Sequence, residues 1–264
     1  MRNSVRFQSG LWIGLLLAFI LAAPALASED NGGKQLYLPA VLAGSPPPAG
    51  CDIPNTGYET VSVAGPSLSG DVSQNIDVNL GYRGYEQVDA PRQLVVLGPV
   101  HDGKAPQVSG MFADRRTPAI VQTYQRYRWD DGCDCVLDTY SRWDTTVLGL
   151  GVSPGETIYT PDSGYDIGGG YEYLVMYAAE TRITLHIGRE DDFPGYVIHI
   201  EDVCTDPDLL ALYNQANAAG RNSLPALGGH QPFGKALGSE IKIAMRDSGS
   251  FMDPRSRNDW WQGR

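Results

Sequence analysis

Four apolar, β-branched runs in the C-terminal part of the chain form its clearest pattern. They extend from Tyr173 to Ala178, Arg182 to Ile187, Tyr196 to Ile200 and Glu240 to Met245. Branched and aromatic side chains favour extended backbone, and runs of this length between turn residues are typical of strands. The pattern therefore predicts a compact β domain over residues 156–264.

The preceding segment, residues 51–155, alternates between apolar and polar residues with a period of two, as half-buried strands do. The strand-like runs are Ile76 to Leu80, Leu94 to Leu97, Ile120 to Trp129 and Thr145 to Leu150. Clusters of Gly, Pro and Asp separate them. We expect an antiparallel β domain here, with roughly six or seven strands.

One segment has helical periodicity. Asp206 suits the N-cap, Pro207 the first turn and Gly220 the exit. The apolar stripe of this helix consists of Leu209, Leu210, Leu212, Tyr213 and Ala216. Residues 224–238, rich in Gly and Pro, are predicted to form a loop. The fold class expected is mainly β, with one short helix in the C-terminal domain.

The first residues resemble a secretory signal peptide. Arg2 and Arg6 precede an apolar run from Leu11 to Leu26, which ends in a small-x-small pattern at residues 25–27. A membrane anchor is the alternative, but the run is short for a span and acids follow it. We predict cleavage after residue 27, and a Pro/Gly-rich linker over residues 28–50.

The negative net charge limits the classes of binding partner that are expected. Cleavage removes two arginines and no acid, so the formal net charge falls from −11 to −13. Nucleic acids and anionic lipids require clustered Lys and Arg, so neither is expected as a partner. No other run is apolar enough to cross a membrane. The expected location is the extracellular space or the cell surface.

Four cysteines follow the signal: Cys51, Cys133, Cys135 and Cys204. An even number in an exported chain predicts two disulfides. A Cys133–Cys135 bond would close a very small ring, so we expect each of them to pair with Cys51 or Cys204, in an order that the sequence leaves open. A Cys-x-Cys metal or redox site is less favoured, because no second Cys pair or nearby His completes a ligand set.

Three short motifs follow one another along the chain in the same order as in one enzyme family. Asp162-Ser-Gly-Tyr-Asp166 opens the C-terminal domain, Leu212-Tyr-Asn-Gln215 lies in its middle, and Glu240-Ile-Lys242 leads to Arg246 and Asp253-Pro254. This layout resembles the lysostaphin-type zinc endopeptidases, which have a duplicated hybrid motif fold and cleave peptidoglycan cross-links. The resemblance covers residues 156–256 and implies a barrel-like β domain.

All four histidines of that family's motifs are replaced here. Asp162, Gln215, Glu240 and Lys242 stand at their positions, while Asp166 is kept. The resemblance places the zinc ligands at the positions of Asp162, Asp166 and Lys242. An ammonium group has no lone pair for a metal, so zinc is not expected. The resemblance therefore implies a degenerate domain, a pseudoenzyme without the family's activity.

The remaining carboxylates leave a hydrolase open as the alternative. Asp162, Asp166 and Glu240 would form an oxygen-rich set that suits calcium better than zinc, although no cofactor is predicted. The simpler interpretation is that Asp166 caps the Gly-rich turn and that Glu240 pairs with Lys242 or Arg246. Paired carboxylates that cleave sugars need only converge in space, so spacing does not exclude them.

The histidines are His101, His186, His199 and His230, too far apart for a local motif. His186 and His199 lie in strand patterns on either side of a turn, so they are predicted to face each other across a hairpin. A structural pair is the favoured interpretation, and His199 as a catalytic base is the alternative.

Aromatic residues are numerous for an acidic β protein, and aromatic rings are a usual means of binding sugars in water. Tyr165, Tyr171, Tyr173 and Trp129 are the candidate ligand-binding residues. The sequence thus predicts a secreted, non-catalytic binding module for a glycan, peptidoglycan, a peptide or a surface protein. The alternatives are an extracellular hydrolase of peptidoglycan or glycan, with or without a divalent metal, and a structural surface protein with no ligand.

Overall fold

The computed structural model describes residues 50–99, 102–130, 132–139 and 141–263. The predicted signal peptide, residues 28–49 of the predicted linker, and His101 lie outside these ranges. The described residues all belong to one compact unit. Within them, no helix is long and apolar enough to cross a bilayer.

Strands dominate the structure, which confirms the mainly β fold class. The strands are β1 (Glu59–Ser62), β2 (Tyr85–Gln87), β3 (Ile120–Arg126), β4 (Trp129–Asp130), β5 (Cys135–Val136), β6 (Val147–Gly151), β7 (Thr157–Tyr159), β8 (Tyr173–Ala179), β9 (Arg182–His186), β10 (Tyr196–Glu201), β11 (Val203–Thr205), β12 (Ser223–Leu227), β13 (Pro232–Ala236), β14 (Glu240–Asp247) and β15 (Ser250–Phe251). The helices are α1 (Leu80–Arg83), α2 (Pro207–Ala218) and α3 (Arg257–Trp260).

A large antiparallel sheet forms the centre of the molecule. Its strand order is β1-β12-β8-β9-β10-β14-β6-β3-β2, with β15 paired to β14. The four apolar runs at β8, β9, β10 and β14 occupy the middle, where both faces are covered. No ladder among the described strands joins β1 to β2, so the barrel-like closure that was expected is not found.

Strands from both sides of the predicted domain boundary at residue 155 are hydrogen-bonded to each other in this sheet. The division at residue 155 falls between β6 and β7. Strand β6 pairs with β14, and β1 pairs with β12. Backbone from both sides of residue 155 therefore contributes to one sheet. Smaller sheets are formed by β11, β13 and β7, and by β4 with β5.

Helix α2 matches the prediction closely. The Asp206 carboxylate accepts a hydrogen bond from the Asp208 backbone N–H at 2.9 Å, which satisfies one of the free donors of the first turn. Leu209, Tyr213 and Ala216 are buried, and the helix packs against β8 and β12. Burial of a large apolar side chain contributes about 1.5–3 kcal/mol. This face is therefore the main reason that the helix is stable.

Three secondary-structure predictions are wrong. Residues 76–80 do not form a strand, because the Asn75 side chain accepts from the Asp77 N–H at 2.8 Å and the Asn79 side chain caps α1. Such local side-chain bonds compete with a sheet ladder. The alternating pattern there reflects burial of Val78 and Leu80 in a turn and helix start.

The Gly-rich segment 224–238 is not a loop but contains β12 and β13. Its Leu224, Leu227 and Phe233 are fully buried, so strand pairing and core contacts override the turn-forming composition. Conversely, the apolar run from Leu94 to Leu97 has only an isolated bridge at Val95.

The disulfide pairing differs from the expectation. Cys51 is bonded to Cys204, with their Cα atoms 5.6 Å apart, and Cys133 is bonded to Cys135, with Cα atoms 5.2 Å apart. The prediction that Cys133 and Cys135 each reach a distant partner is wrong. They lie at the turn between β4 and β5, where Asp134 adopts a φ of 52°. This turn curls the backbone enough for the two side chains to meet.

The last residues of the chain form a buried polar network under α3. Asp253 and Arg255 are both 2 % exposed and form an ion pair at 2.7 Å. The Trp260 indole donates to the Asp253 backbone oxygen at 3.0 Å, and the Trp261 indole donates to the Pro254 oxygen at 2.8 Å. The Asp-Pro motif of the sequence therefore anchors the chain terminus to the core.

Candidate functional site

The carboxylates singled out in the sequence have separate partners. Asp162 is ion-paired with Arg115. Asp166 is exposed and accepts from the Gly168 N–H at 2.7 Å, so it stabilises the Gly-rich turn as predicted. Glu172, which sequence reasoning missed, lies near both acids. Burial raises its pKa, the negative charges of Asp162 and Asp166 add to this rise, and a hydrogen bond from Ser163 opposes it.

Glu240 lies elsewhere, at the start of β14. Its carboxylate accepts from the Tyr124 hydroxyl at 2.7 Å. The predicted pairing with Lys242 or Arg246 is wrong, since Lys242 pairs with Asp202 and Arg246 with Asp77. Within the described ranges, no group of three or more His, Cys, Asp and Glu is placed to hold a metal ion. The three predicted carboxylates thus do not converge on one centre.

His199 is fully buried in β10. Its Nδ1 lies 3.1 Å from the Thr184 hydroxyl, which donates its own proton to the Val78 carbonyl. The Nδ1 must therefore be the donor, and Nε2 is left as a buried acceptor that has no partner among the described residues. Burial lowers the His199 pKa well below its usual value, and the charges of Arg246 and Arg83 lower it further. A neutral imidazole with no access to solvent is poorly suited to act as a base on a ligand.

The other described histidines have structural contacts. His186 and His199 lie on the same face of the β9–β10 hairpin but are offset, because Thr184 is the residue opposite His199. The His186 ring contacts the backbone oxygens of the following turn. His230 stacks on Tyr159 with ring centroids 4.5 Å apart.

Of the four aromatic candidates, Trp129 lines a large cavity. Tyr173 is fully buried in β8 and its hydroxyl has no partner among the described residues. Tyr165 donates to Asp102 and Tyr171 donates to Glu59, each at 2.6 Å. These three tyrosines stabilise loops and core, and the structure does not bring them together with Trp129.

The cavity beside Trp129, here named the arginine cavity, has a volume of about 800 Å³. It lies where β3 leads into β4, with α1 on one side and β15 on the other. Cationic and aromatic side chains dominate its lining, namely Arg83, Arg126, Arg128, Arg142, Trp129 and Phe251. Its size is that of a ligand site for a small molecule or an oligomer segment.

Some of the positive charges at the cavity are neutralised. Arg83 lies 2.9 Å from Asp77, and Arg246, behind Phe251, shares the same carboxylate at 2.9 Å. Arg128 pairs with Asp138 at 2.8 Å. Among the described residues, one carboxylate lies between the guanidinium groups of Arg83 and Arg246, so the three side chains together carry a net positive charge. The lining acid Asp247 offsets part of it.

Arg126 and Arg142 have no ion pair within the part of the chain that the structure describes. Arg126 donates from Nη1 to the Tyr127 oxygen at 3.0 Å, but its buried Nε contacts no hydrogen-bond partner in the described ranges. Burial lowers the Arg126 pKa to about 10, with repulsion from neighbouring arginines as the second cause. Arg142 is exposed, and its guanidinium lies 4.2 Å from the Trp143 ring centroid.

Sequence reasoning missed this site because its residues come from distant segments. Residues 83, 126–142 and 247–252 share no motif, and each arginine alone resembles an ordinary surface cation. One signal was available, the Arg126-Tyr127-Arg128-Trp129 run, which alternates cations with aromatics.

Comparison with known proteins identifies no relative of this chain. The chain matches no protein-family model, and comparisons with curated proteins and with solved structures find no significant similarity. The geometry of the arginine cavity is therefore the main evidence that the molecule offers on function.

Proposed function

We propose that the protein is a secreted, non-catalytic binding module that holds an extracellular ligand, foremost a glycan, in the arginine cavity. The observation that carries this proposal is a cavity of about 800 Å³ that combines Trp129 and Phe251 with several arginines. An indole ring offers a flat apolar face for a sugar ring, and guanidinium groups supply hydrogen bonds in fixed directions. The two together suit a polar ligand with flat faces.

The absence of catalysis in this proposal is supported by the positions of the candidate acids and base. Asp162, Asp166 and Glu240 each have a separate partner, and His199 is fully buried. A hydrolase requires an acid and a base that both reach the same bond. Among the described residues that line the arginine cavity, Asp247 is the one carboxylate.

Secretion is supported by the signal-like pattern at residues 1–27 and by the two disulfides. The relation to lysostaphin-type endopeptidases remains part of the proposal. It rests on the motif residues Asp166, Asp253 and Pro254, which have structural roles in this molecule. On this proposal the protein is a degenerate relative that binds envelope or matrix polymers and does not cleave them.

The first test is a glycan array followed by affinity measurement on retained polymers. We expect Trp129→Ala to weaken binding at least about tenfold, a loss of about 1.4 kcal/mol, because the stacking surface is removed. Trp129 is only half-buried, so the variant should stay folded. Tyr171→Ala, an aromatic truncation outside the cavity, is the matched control and should bind normally. Retention of no polymer, or equal binding by Trp129→Ala, would refute the proposal.

A further inference from the structure

The arginine cavity concentrates positive charge on a protein whose formal net charge is −11. Like-charged side chains in one place are destabilising unless something offsets them. Here four arginines line a single cavity, and Arg246 lies directly behind Phe251. Arg126 and Arg142 form no ion pair among the described residues, so salt bridges within the fold do not account for this concentration of charge.

The pairing of these arginines separates them into two groups. Arg83 and Arg246 have their guanidinium groups fixed by Asp77, and both are almost fully buried. Arg126 and Arg142 face the same cavity without an ion pair among the described residues. Arg83 and Arg246 therefore add positive charge beside the cavity, and Arg126 and Arg142 remain available to bind a ligand.

Arg126 shows what kind of ligand atom fits. Its Nε–H is buried and makes no hydrogen bond in the described structure. Arg126 also lines the cavity, so an oxygen acceptor that enters it meets a guanidinium group, which donates hydrogen bonds and cannot accept them. The neighbouring arginines also disfavour the Arg126 charge and lower its pKa, so a negative charge at this place is favoured over a neutral acceptor.

The competing internal acceptor is Asp247, which also lines the cavity. Its Oδ1 accepts from the Ser248 hydroxyl at 3.1 Å. No ion pair joins Asp247 to Arg126 or Arg142 in the described residues. The anion that would complete the site is therefore not supplied by this nearby side chain.

Resting on the binding function proposed above, we propose that the ligand carries an oxyanion, a carboxylate or a sulfate, which Arg126 and Arg142 bind in the arginine cavity while Trp129 contacts the adjoining ring. A guanidinium group binds such oxyanions through two parallel hydrogen bonds, with directional preference. The preferred ligand class is thus an acidic polysaccharide, and Arg126 determines the preference for charge.

The first experiment uses inorganic sulfate as the probe and the arginine Nε–Hε NMR resonances of the purified protein as the readout. We expect sulfate to shift the Arg126 resonance, identified by its loss in Arg126→Gln, in a saturable manner. Sodium chloride at equal ionic strength should leave it unchanged. A shift that chloride reproduces, or an Arg126 resonance that sulfate does not move, would overturn the proposal.

Two variants keep this experiment interpretable. Arg257→Gln removes one exposed arginine outside the cavity and should respond to sulfate like the unmodified protein. Arg126→Lys retains the positive charge but lacks the planar fork, so sulfate binding to this variant, followed through the Arg142 Nε–Hε resonance, should weaken without being lost. If Arg126→Gln fails to fold, Arg126→Lys and the response of the unmodified protein decide the outcome. Full-strength binding by Arg126→Lys would contradict a directional role.

The second experiment separates the charge preference from the binding function itself. Polygalacturonate and chondroitin sulfate are each compared with an uncharged form, in which the carboxylates are methyl-esterified and the sulfates are removed. We expect the acidic forms to bind at least about tenfold more tightly, and Arg126→Gln to remove that difference. Equal binding of both forms, lost only in Trp129→Ala, would leave the glycan function standing and overturn the anion preference. A sulfate response with no polymer bound would instead refute the glycan function and keep the anion site.

Discussion

One buried carboxylate, that of Glu201, shows how strongly burial changes a side-chain pKa in this protein. Glu201 at the end of β10 is 3 % exposed. It lies opposite Arg182 in one ladder and opposite Lys242 in the other. Burial still raises its pKa to about 7, because desolvation exceeds the attraction of Arg182, which lies 3.3 Å away. A cross-strand cation on each side therefore does not fully compensate for removal from water.

This raised pKa predicts a pH dependence of stability. Glu201 has a folded pKa of about 7 against 4.5 for the free side chain, so the folded state holds a proton that the unfolded state has lost. Its contribution is fully present below about pH 4.5 and is lost as the pH rises through 7. Glu201→Gln, which cannot ionise, should flatten this fall and be more stable above pH 7, by on the order of 2–3 kcal/mol.

Urea unfolding at pH 5, 6, 7 and 8 measures the effect. Glu190→Gln is the control, since it removes an exposed acid from the turn after β9. An unchanged slope of unfolding free energy against pH in Glu201→Gln would show that Glu201 is not the responsible group.

Among the elements, α2 illustrates how one side chain can serve two purposes. The Asp206 Oδ1 accepts from the Asp208 N–H and caps the helix. Its Oδ2 accepts from the Ile53 N–H at 2.9 Å, across 153 positions of sequence. The start of the helix and the first described segment of the chain are thereby joined through a carboxylate that is 2 % exposed.

Asp206→Ala should therefore destabilise the protein by about 1–3 kcal/mol, more than an ordinary cap, because a second donor at Ile53 also loses its acceptor. Asp206→Asn should have a smaller effect, since its amide oxygen can still accept from Asp208. Asp208→Ala, at an exposed position of the first turn, is the control. Urea denaturation gives the three free energies of unfolding, and a loss in Asp206→Ala no larger than that of the control would contradict the double role.

For the whole molecule, the two disulfides constrain the unfolded chain very differently. Cys51–Cys204 spans 153 positions and both sulfurs are buried, whereas Cys133–Cys135 spans 2 positions in an exposed turn. A cross-link stabilises mainly by limiting the unfolded ensemble, and this effect grows with loop length. Stability should therefore depend on the first bond far more than on the second.

The paired substitution of Cys51 and Cys204 by Ser should reduce the free energy of unfolding by about 2–5 kcal/mol. The same substitution of Cys133 and Cys135 should reduce it by well under half as much. Calorimetric unfolding of both variants under oxidising conditions tests the difference. Equal losses would show that loop length does not govern the contribution of these bonds.

Several elements were predictable because their signals are local. The β-branched runs that became β8, β9, β10 and β14 are apolar over their whole length, and α2 combines a cap, a proline and an apolar stripe. The errors arose where distant contacts outweighed composition. Segment 224–238 pairs with β1, β8, β11 and β7 despite its glycines, and residues 76–80 turn because of two asparagine side chains.

The sequence alone therefore determined the mainly β class, the central strands and the capped helix, because periodicity and capping act between residues only a few positions apart. Tertiary structure decided the disulfide pairing, the separation of Asp162 from Glu240 and the position of the arginine cavity. That cavity unites Arg83, Arg126 and Phe251 through α1 and through the β15–β14–β6–β3 pairings. Such convergence depends on strand order, which no local pattern encodes.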